Sequence, residues 1–280
     1  MEQLGTIFTT LFINPTLNIL VGFYQFFTSM GLAGAFGFSI IAITLTIRLL
    51  MHPFFNKQMH TARKMKELKP KLDELNKKHK NDKQRLQKEQ LSLYQQEGIN
   101  PASGCLFALV QIPLIYGLFS TLQLFLNQEG DEALVSTING RLYTDFLKLQ
   151  TIDPHFFSIN LALSPAQAGP AFIAVPIITA GLQYFQSRVT MAQMGTDDKS
   201  EKKTVDEHGK KIEPSMGDEF QKAMTTQTKY FFPLMIGYFA YTLPMGLSLY
   251  WNTFSLFSII QHSLDNRTSK SGTQVLRNPA

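Results

Sequence analysis

Uncharged apolar stretches alternate with dense blocks of charge along this chain. Five stretches are apolar and on the order of 20 residues long, or form a pair of shorter runs, which matches the hydrocarbon thickness of a bilayer. They cover residues 32–56, 100–127, 169–189, 229–243 and 244–265. The last two are a single uncharged run after Lys229, too long for one span and punctuated by Leu243-Pro-Met-Gly246. Ahead of them, residues 14–30 show a different pattern. Asn14, Asn18, Gly22, Gln25 and Ser29 recur at spacings of 4, 4, 3 and 4, which is one stripe of a helix. Asn14 suits the cap of such a helix and Pro15 its first turn. The apolar remainder favours a helix lying in the membrane interface. The alternative is a first transmembrane helix with a polar packing face.

Between the first two spans, residues 57–99 are charged and helical in pattern. Met65, Leu68, Leu72 and Leu75 follow the spacing of a packed seam, and Leu86, Leu93 and Tyr94 give a second face. Pro70 is expected to kink the first arm, and Lys80-Asn-Asp82 to turn the chain. The segment therefore predicts a helical hairpin outside the membrane. Residues 128–168 form a loop with turn signals and one short helix near Leu142–Leu149. Residues 190–228 form a polar, mobile loop, and 266–280 a short basic tail.

Charge sets the orientation. Residues 57–98 hold 12 Lys/Arg against 6 Asp/Glu, residues 190–228 hold 6 Lys/Arg and the tail 3, whereas residues 128–167 hold only 2. The positive-inside rule makes the first three cytoplasmic and the last external, with the N-terminus and residues 1–31 outside and the C-terminus in the cytoplasm. Composition adds exclusions. The mean hydropathy of −0.04 averages over this segregation and would by itself suggest a soluble protein. One cysteine, Cys105, rules out an intrachain disulfide, and the six histidines are scattered, so no metal site is expected. Nucleotide-binding motifs are absent, and no cofactor or enzymatic chemistry is expected. The basic residues flank apolar runs, where topology accounts for them, so nucleic-acid binding is not expected either.

Arg48 is the exception to this order. The first 47 residues carry one charge, Glu2, and Arg48 then appears inside an apolar run. An arginine at a membrane helix centre costs about 2.5–3.5 kcal/mol even on the most lenient scale and marks a functional site by default. The alternative is an arginine that snorkels to the nearby interface. The spans contain no Asp or Glu before Asp265, at the end of the last one. This disfavours proton relays built on buried carboxylates. It suggests instead that Arg48 faces a wet cavity and receives its countercharge from a substrate. Thr44 and His52 lie one turn away on either side of Arg48 along the helix, on the same face; His52 reads as an interfacial polar residue. Gln111, Gln183, Gln186, Tyr250, Trp251 and Asn252 are candidates to line the same hydrophilic groove, with ordinary interhelical hydrogen bonding as the alternative. The hairpin's net charge of +6, from 12 cations and 6 acids, serves either a partner or topology.

Taken in order, several blocks resemble one family. Phe36-Gly-Phe-Ser-Ile-Ile-Ala-Ile-Thr-Leu-Thr-Ile-Arg-Leu-Leu-Met-His-Pro53 is similar to the arginine-bearing span of the YidC membrane-protein insertases. The likeness continues through Lys64-Met-Lys-Glu-Leu-Lys-Pro70, Asn81-Asp-Lys-Gln84 and Leu93-Tyr94. It is strongest at Gly98-Ile-Asn-Pro-Ala-Ser-Gly-Cys105 with Gln111-Ile-Pro113, and returns at Leu243-Pro-Met-Gly-Leu-Ser-Leu-Tyr250. The resemblance implies a five-helix core around a groove open to cytoplasm and lipid. Arg48 and Thr44 would be its substrate-contacting positions, with Gln183, Gln186 and Tyr250 or Trp251 aligned to further ones. It departs from Gram-negative members in lacking their large external domain and extra first span. The expected fold is thus an all-α polytopic membrane protein with five transmembrane helices, a cytoplasmic helical hairpin and an N-terminal interfacial amphipathic helix. The expected function is insertion and chaperoning of newly made membrane proteins in the bacterial plasma membrane. The partners would be client chains and the bilayer, with a Sec translocon or ribosome as possible additions. The alternatives are a small anion transporter or channel using Arg48, and a non-catalytic assembly scaffold.

Overall fold

The computed structural model describes residues 2–79, 82–99, 103–126, 132–194 and 225–277, with some side chains inside these ranges left out. The turn expected at Lys80-Asn81 and most of the 190–228 loop lie outside the described residues. What is described is almost entirely helical.

Helix α1 (Glu2–Phe8) runs through a π-helical turn (Thr9–Ile13) into α2 (Asn14–Ser29). The chain then turns through Gly31 and Gly34, at φ 69° and 86°. Glycine enters this left-handed region without steric cost. Helix α3 (Ala35–Leu50) follows, and α4 (His52–Lys78) resumes after Met51 alone. The two are bent by 57°. Pro53 is the cause at hand, since it cannot donate to the carbonyl a turn behind it. Pro70, by contrast, sits inside α4, which is assigned as one helix to Lys78. The break therefore falls at the end of the apolar run.

Helix α5 (Lys83–Gln96) starts on Asp82, whose side chain accepts from the Arg85 amide at 3.0 Å. It lies back along α4 through Lys71–Glu97 at 2.6 Å, Gln90–Asn76 at 3.0 Å and His79–Glu89 at 2.9 Å. Helix α6 spans Ser103–Leu126 and α9 spans Ala174–Met194, separated by the segment described below. A π-helical turn (Gln227–Phe231) leads into α10 (Phe232–Thr242), and α11 runs from Met245 to Arg277. It thus continues as helix through the segment expected to be a short tail. Among the described residues, Gly5–Ser29 is long and apolar enough to cross a membrane, and Ala35–Leu50 with His52–Asn76, nearly all of α4, qualifies as a bent pair.

The apolar core lies where α2, α3, α6 and the start of α11 meet. Leu17, Leu20, Phe36, Ile40, Ile43, Leu122 and Leu247 are fully or almost fully buried there. Close approach needs small residues. A Cβ at Gly246 would stand 2.8 Å from Leu126, and one at Gly37 would enter the ring of Phe156.

The segment between α6 and α9 differs most from expectation. It contains α7 (Glu132–Asn139), a 3-10 turn (Asp145–Leu147), a hairpin of β1 (His155–Phe156) and β2 (Ile159–Asn160), and α8 (Pro165–Ala168). The helix expected near Leu142–Leu149 is only the 3-10 turn. The strands pair antiparallel, His155 with Asn160 and Phe156 with Ile159. At two residues each they are too short to show an alternating pattern, and Phe157, at φ 54°, turns the hairpin without a glycine signal.

This loop is what the polar stripe of α2 serves. Asn18 donates to the Arg141 carbonyl at 3.1 Å and accepts from the Tyr143 amide at 2.7 Å. Gln25 donates to the Lys148 carbonyl at 3.2 Å, and the Tyr24 hydroxyl accepts from the Asp153 amide at 2.9 Å. Gly22 leaves room for Leu147. At its far end the loop caps α11. The amides of Met245 and Gly246 donate to the carbonyls of Leu163 and Leu161 at 2.9 and 3.0 Å, satisfying donors that a helix start leaves orphaned. The α2–α3 turn, the loop and the α10–α11 turn therefore share one end of the molecule.

Candidate functional site

Arg48 occupies the last turn of α3 and is only 8% exposed. Its guanidinium lies over the Phe254 ring, 3.5 Å from the centroid, and a second ring, Phe257, is 6.0 Å away. One terminal nitrogen donates to the Phe254 carbonyl at 3.3 Å. The Nε is buried without a partner. No carboxylate among the described residues pairs with it.

Three features make this position tolerable. The C-terminal end of a helix carries partial negative charge, worth about 0.3–1 kcal/mol to a nearby cation. A desolvated cation over an aromatic face gains on the order of 2 kcal/mol. The carbonyl of Phe254 supplies one acceptor. A guanidinium has five N–H donors, however, and is best satisfied by a bidentate anion. The site therefore holds a cation that is sheltered and incompletely bonded.

A small cavity of about 10 Å³ adjoins it, room for roughly one water. It is lined by Thr44, Ile47, Arg48, Ile115, Leu118, Tyr250 and Phe254, contributed by α3, α6 and α11. Its polar contributions come from Arg48, Thr44 and Tyr250, and its other walls are apolar. The Thr44 hydroxyl is turned back onto its own helix, donating to the Ile40 carbonyl at 2.6 Å, as Thr46 does to Ala42 at 2.8 Å. What Thr44 offers the cavity is a short side chain that leaves space.

Gln183, Gln186, Trp251 and Asn252 are not among the residues lining the cavity beside Arg48. Gln183 and Gln186 of α9 accept from the Ser255 hydroxyl of α11, at 3.3 and 2.7 Å. Trp251 packs against the apolar core. Asn252 is half-buried with its carbonyl oxygen unpartnered. The side chain of Gln111 lies outside the described residues. The break at Met51 carries His52 off the face of Arg48; it bonds Gln261 at 2.8 Å and Asn56 at 3.1 Å instead. A second polar cluster thus joins α4, α9 and α11, extended by Thr190 and His262 at 3.3 Å and by the edge of Phe55 on His262. Sequence reasoning missed Phe254, the most intimate neighbour of Arg48. The available signal was its spacing of one turn from Tyr250, which places both on one face of α11.

The family profile described as 60Kd inner membrane protein matches residues 26–272, most of the chain. The chain belongs to that family. Curated relatives agree with the placement. A protein named membrane protein insertase YidC from Fusobacterium nucleatum is 29% identical over 248 residues, covering 87% of this chain and 93% of the relative. One of the same name from Wolinella succinogenes is 27% identical over 261 residues, 93% of this chain but 38% of the relative. An inner membrane ALBINO3-like protein 1, chloroplastic, from Chlamydomonas reinhardtii is 30% identical over 228 residues, 78% of this chain and 41% of the relative. The chain thus spans nearly all of one relative and well under half of the others. The Arg48 span and the Pro-Met-Gly turn before Tyr250 both fall inside the matched region.

Proposed function

We propose that this chain is a membrane protein insertase of the inner membrane, and that Arg48 receives the polar or acidic part of a client while its apolar segment enters the bilayer. Family membership and the names of the relatives support the activity. One observation carries the mechanism: Arg48 is buried, lacks a carboxylate among the described residues, and keeps its Nε unpartnered.

The client's anion would displace the ring and carbonyl contacts only in part, because the free donors of Arg48 are available to it. Holding that charge part-way shortens the polar path through lipid. The apolar segment then leaves sideways, driven by its own burial in hydrocarbon. A membrane potential, negative inside, favours an acidic segment moving outward by about 2.3 kcal/mol per charge per 100 mV. No bond is made or broken. A Sec translocon or ribosome would be an addition, and the basic α4–α5 hairpin is the surface suited to it. The names of the relatives favour this reading over an anion carrier or a passive scaffold.

The topology follows the same reading: five spans, N-terminus outside, C-terminus and the α4–α5 hairpin in the cytoplasm. The α2 helix lies in the outer interface, although the continuous helix Gly5–Ser29 to which it belongs is long enough for a span. The reason is the loop beside it. The backbone of residues 141–148 runs along Asn18 to Gln25, with Asp145 and Lys148 exposed. Irregular, charged backbone facing lipid is not tolerated within the hydrocarbon.

The test uses purified protein in liposomes and a single-span client with an acidic external tail. Protease protection of the tail above the level in empty liposomes is the expected result. Equal protection with and without the protein would refute the insertase reading.

A further inference from the structure

The 3-10 turn Asp145–Leu147 carries the most exposed large apolar side chain among the described residues. Phe146 is 86% exposed. The turn is nonetheless well fixed. Gln25 binds the Lys148 carbonyl, Leu147 covers Gly22, and Lys148 bridges back to Asp145 at 2.7 Å. Tyr143, just before the turn, is also exposed. A rigid loop that holds a phenylalanine in water gains nothing by it.

The surroundings identify what covers the ring. Leu147 sits over Gly22, whose neighbours at i−3 and i+4 on the helix are Ile19 and Phe26. Both are exposed, at 41% and 55%. The turn thus lies next to the outward apolar flank of α2. Asp145 and Lys148, both exposed, bracket Phe146. An aromatic tip bracketed by charges and continuous with the apolar flank of an interfacial helix has the chemistry of the headgroup–acyl boundary, where aromatic rings seat and charges stay in water.

We infer that Phe146, with Tyr143 beside it, is a second membrane anchor, seating the external loop in the outer leaflet alongside Ile19 and Phe26 of α2. This rests on the interfacial placement of α2 proposed above. Two fixed anchors on one unit would hold the α2–loop assembly flat on the bilayer, and with it the capped start of α11.

The test is spin labelling of the full chain in liposomes of phosphatidylethanolamine and phosphatidylglycerol. A Cys105→Ser background leaves no other thiol. Labels are placed one at a time at Phe146→Cys, Ile19→Cys and the exposed loop position Gln150→Cys. Collision with lipid-soluble oxygen is compared with collision with a water-soluble nickel chelate. The expected result is several-fold less nickel access at 146 than at 150, with oxygen access matching that at 19. Phe146 is so exposed that its replacement does not threaten folding. Nickel access at 146 equal to that at 150 overturns the anchor, and so does shielding of 146 from both reagents, which would indicate a protein partner instead. If 19 reads as lipid while 146 reads as water, the anchor falls and the interfacial α2 stands. If both read as water, the placement of α2 falls too.

Discussion

The end of the molecule where α2 meets the 141–153 loop and the Arg48 site treat polar groups in opposite ways. Along α2, the amides and hydroxyl of Asn18, Gln25 and Tyr24 meet backbone groups of the 141–153 loop. Each bond closes within the chain and fastens one part of it to another. At Arg48 a stronger donor set meets one carbonyl and a ring, and the Nε meets nothing. Both regions interrupt an apolar pattern. The difference is whether the chain itself supplies the partner. Where it does, the polar residues are structural; where it does not, we propose that the partner arrives with the substrate.

Substitutions sharpen the contrast. The largest effect is expected from Arg48→Ala. Loss of a charge-assisted hydrogen bond worth about 1.5–3 kcal/mol should lower insertion of an acidic-tailed client by roughly ten- to a hundredfold in liposomes. Thermal stability should not fall, because an incompletely bonded buried cation is removed. Arg48→Lys should fall between, since a lysine keeps the charge and loses the planar fork. The contacts between α2 and the loop should respond the other way. Asn18→Ala strands the Tyr143 amide and the Arg141 carbonyl, a cost of about 1–3 kcal/mol that is read as a lower unfolding midpoint and faster proteolysis of the loop. Insertion per folded molecule should hold. Gly37→Ala should also destabilise, by about 1–3 kcal/mol, because its Cβ would enter the ring of Phe156. Phe254→Leu removes the face beneath the guanidinium, about 0.5–2 kcal/mol, and should alter both stability and insertion modestly. The smallest effect is expected from Ser255→Ala. Its bonds to Gln183 and Gln186 are interhelical bonds of the kind that average about 0.6 kcal/mol in membranes.

What the sequence revealed follows the same division. Arg48 was legible because a lone charge in an apolar run is costly, and Thr44 and Tyr250 were legible by helical spacing and by the Pro-Met-Gly turn. Phe254 was not, being one of 23 phenylalanines with no polar mark. The stripe on α2 was visible, but its partner was not, because that partner is backbone from more than a hundred residues away. The β1–β2 hairpin was invisible at two residues per strand. Gln183 and Gln186 were read as polar positions inside a span, and spacing within one helix says nothing about which helix faces them. The structure pairs them with Ser255 and separates them from Arg48. The continuation of α11 to Arg277 shows the converse limit: polarity marks where an apolar run stops, not where a helix does.

The central claim is that the countercharge of Arg48 belongs to the client. A four-way comparison tests it most directly. Wild type and Arg48→Ala are each offered a client with aspartates in its external tail and the same client with asparagines there, and protease protection is scored in liposomes. The account predicts a large loss for the aspartate client when Arg48 is removed and little change for the asparagine client. Equal losses for both clients would contradict it, and would reduce Arg48 to a residue that shapes the cavity without reading charge.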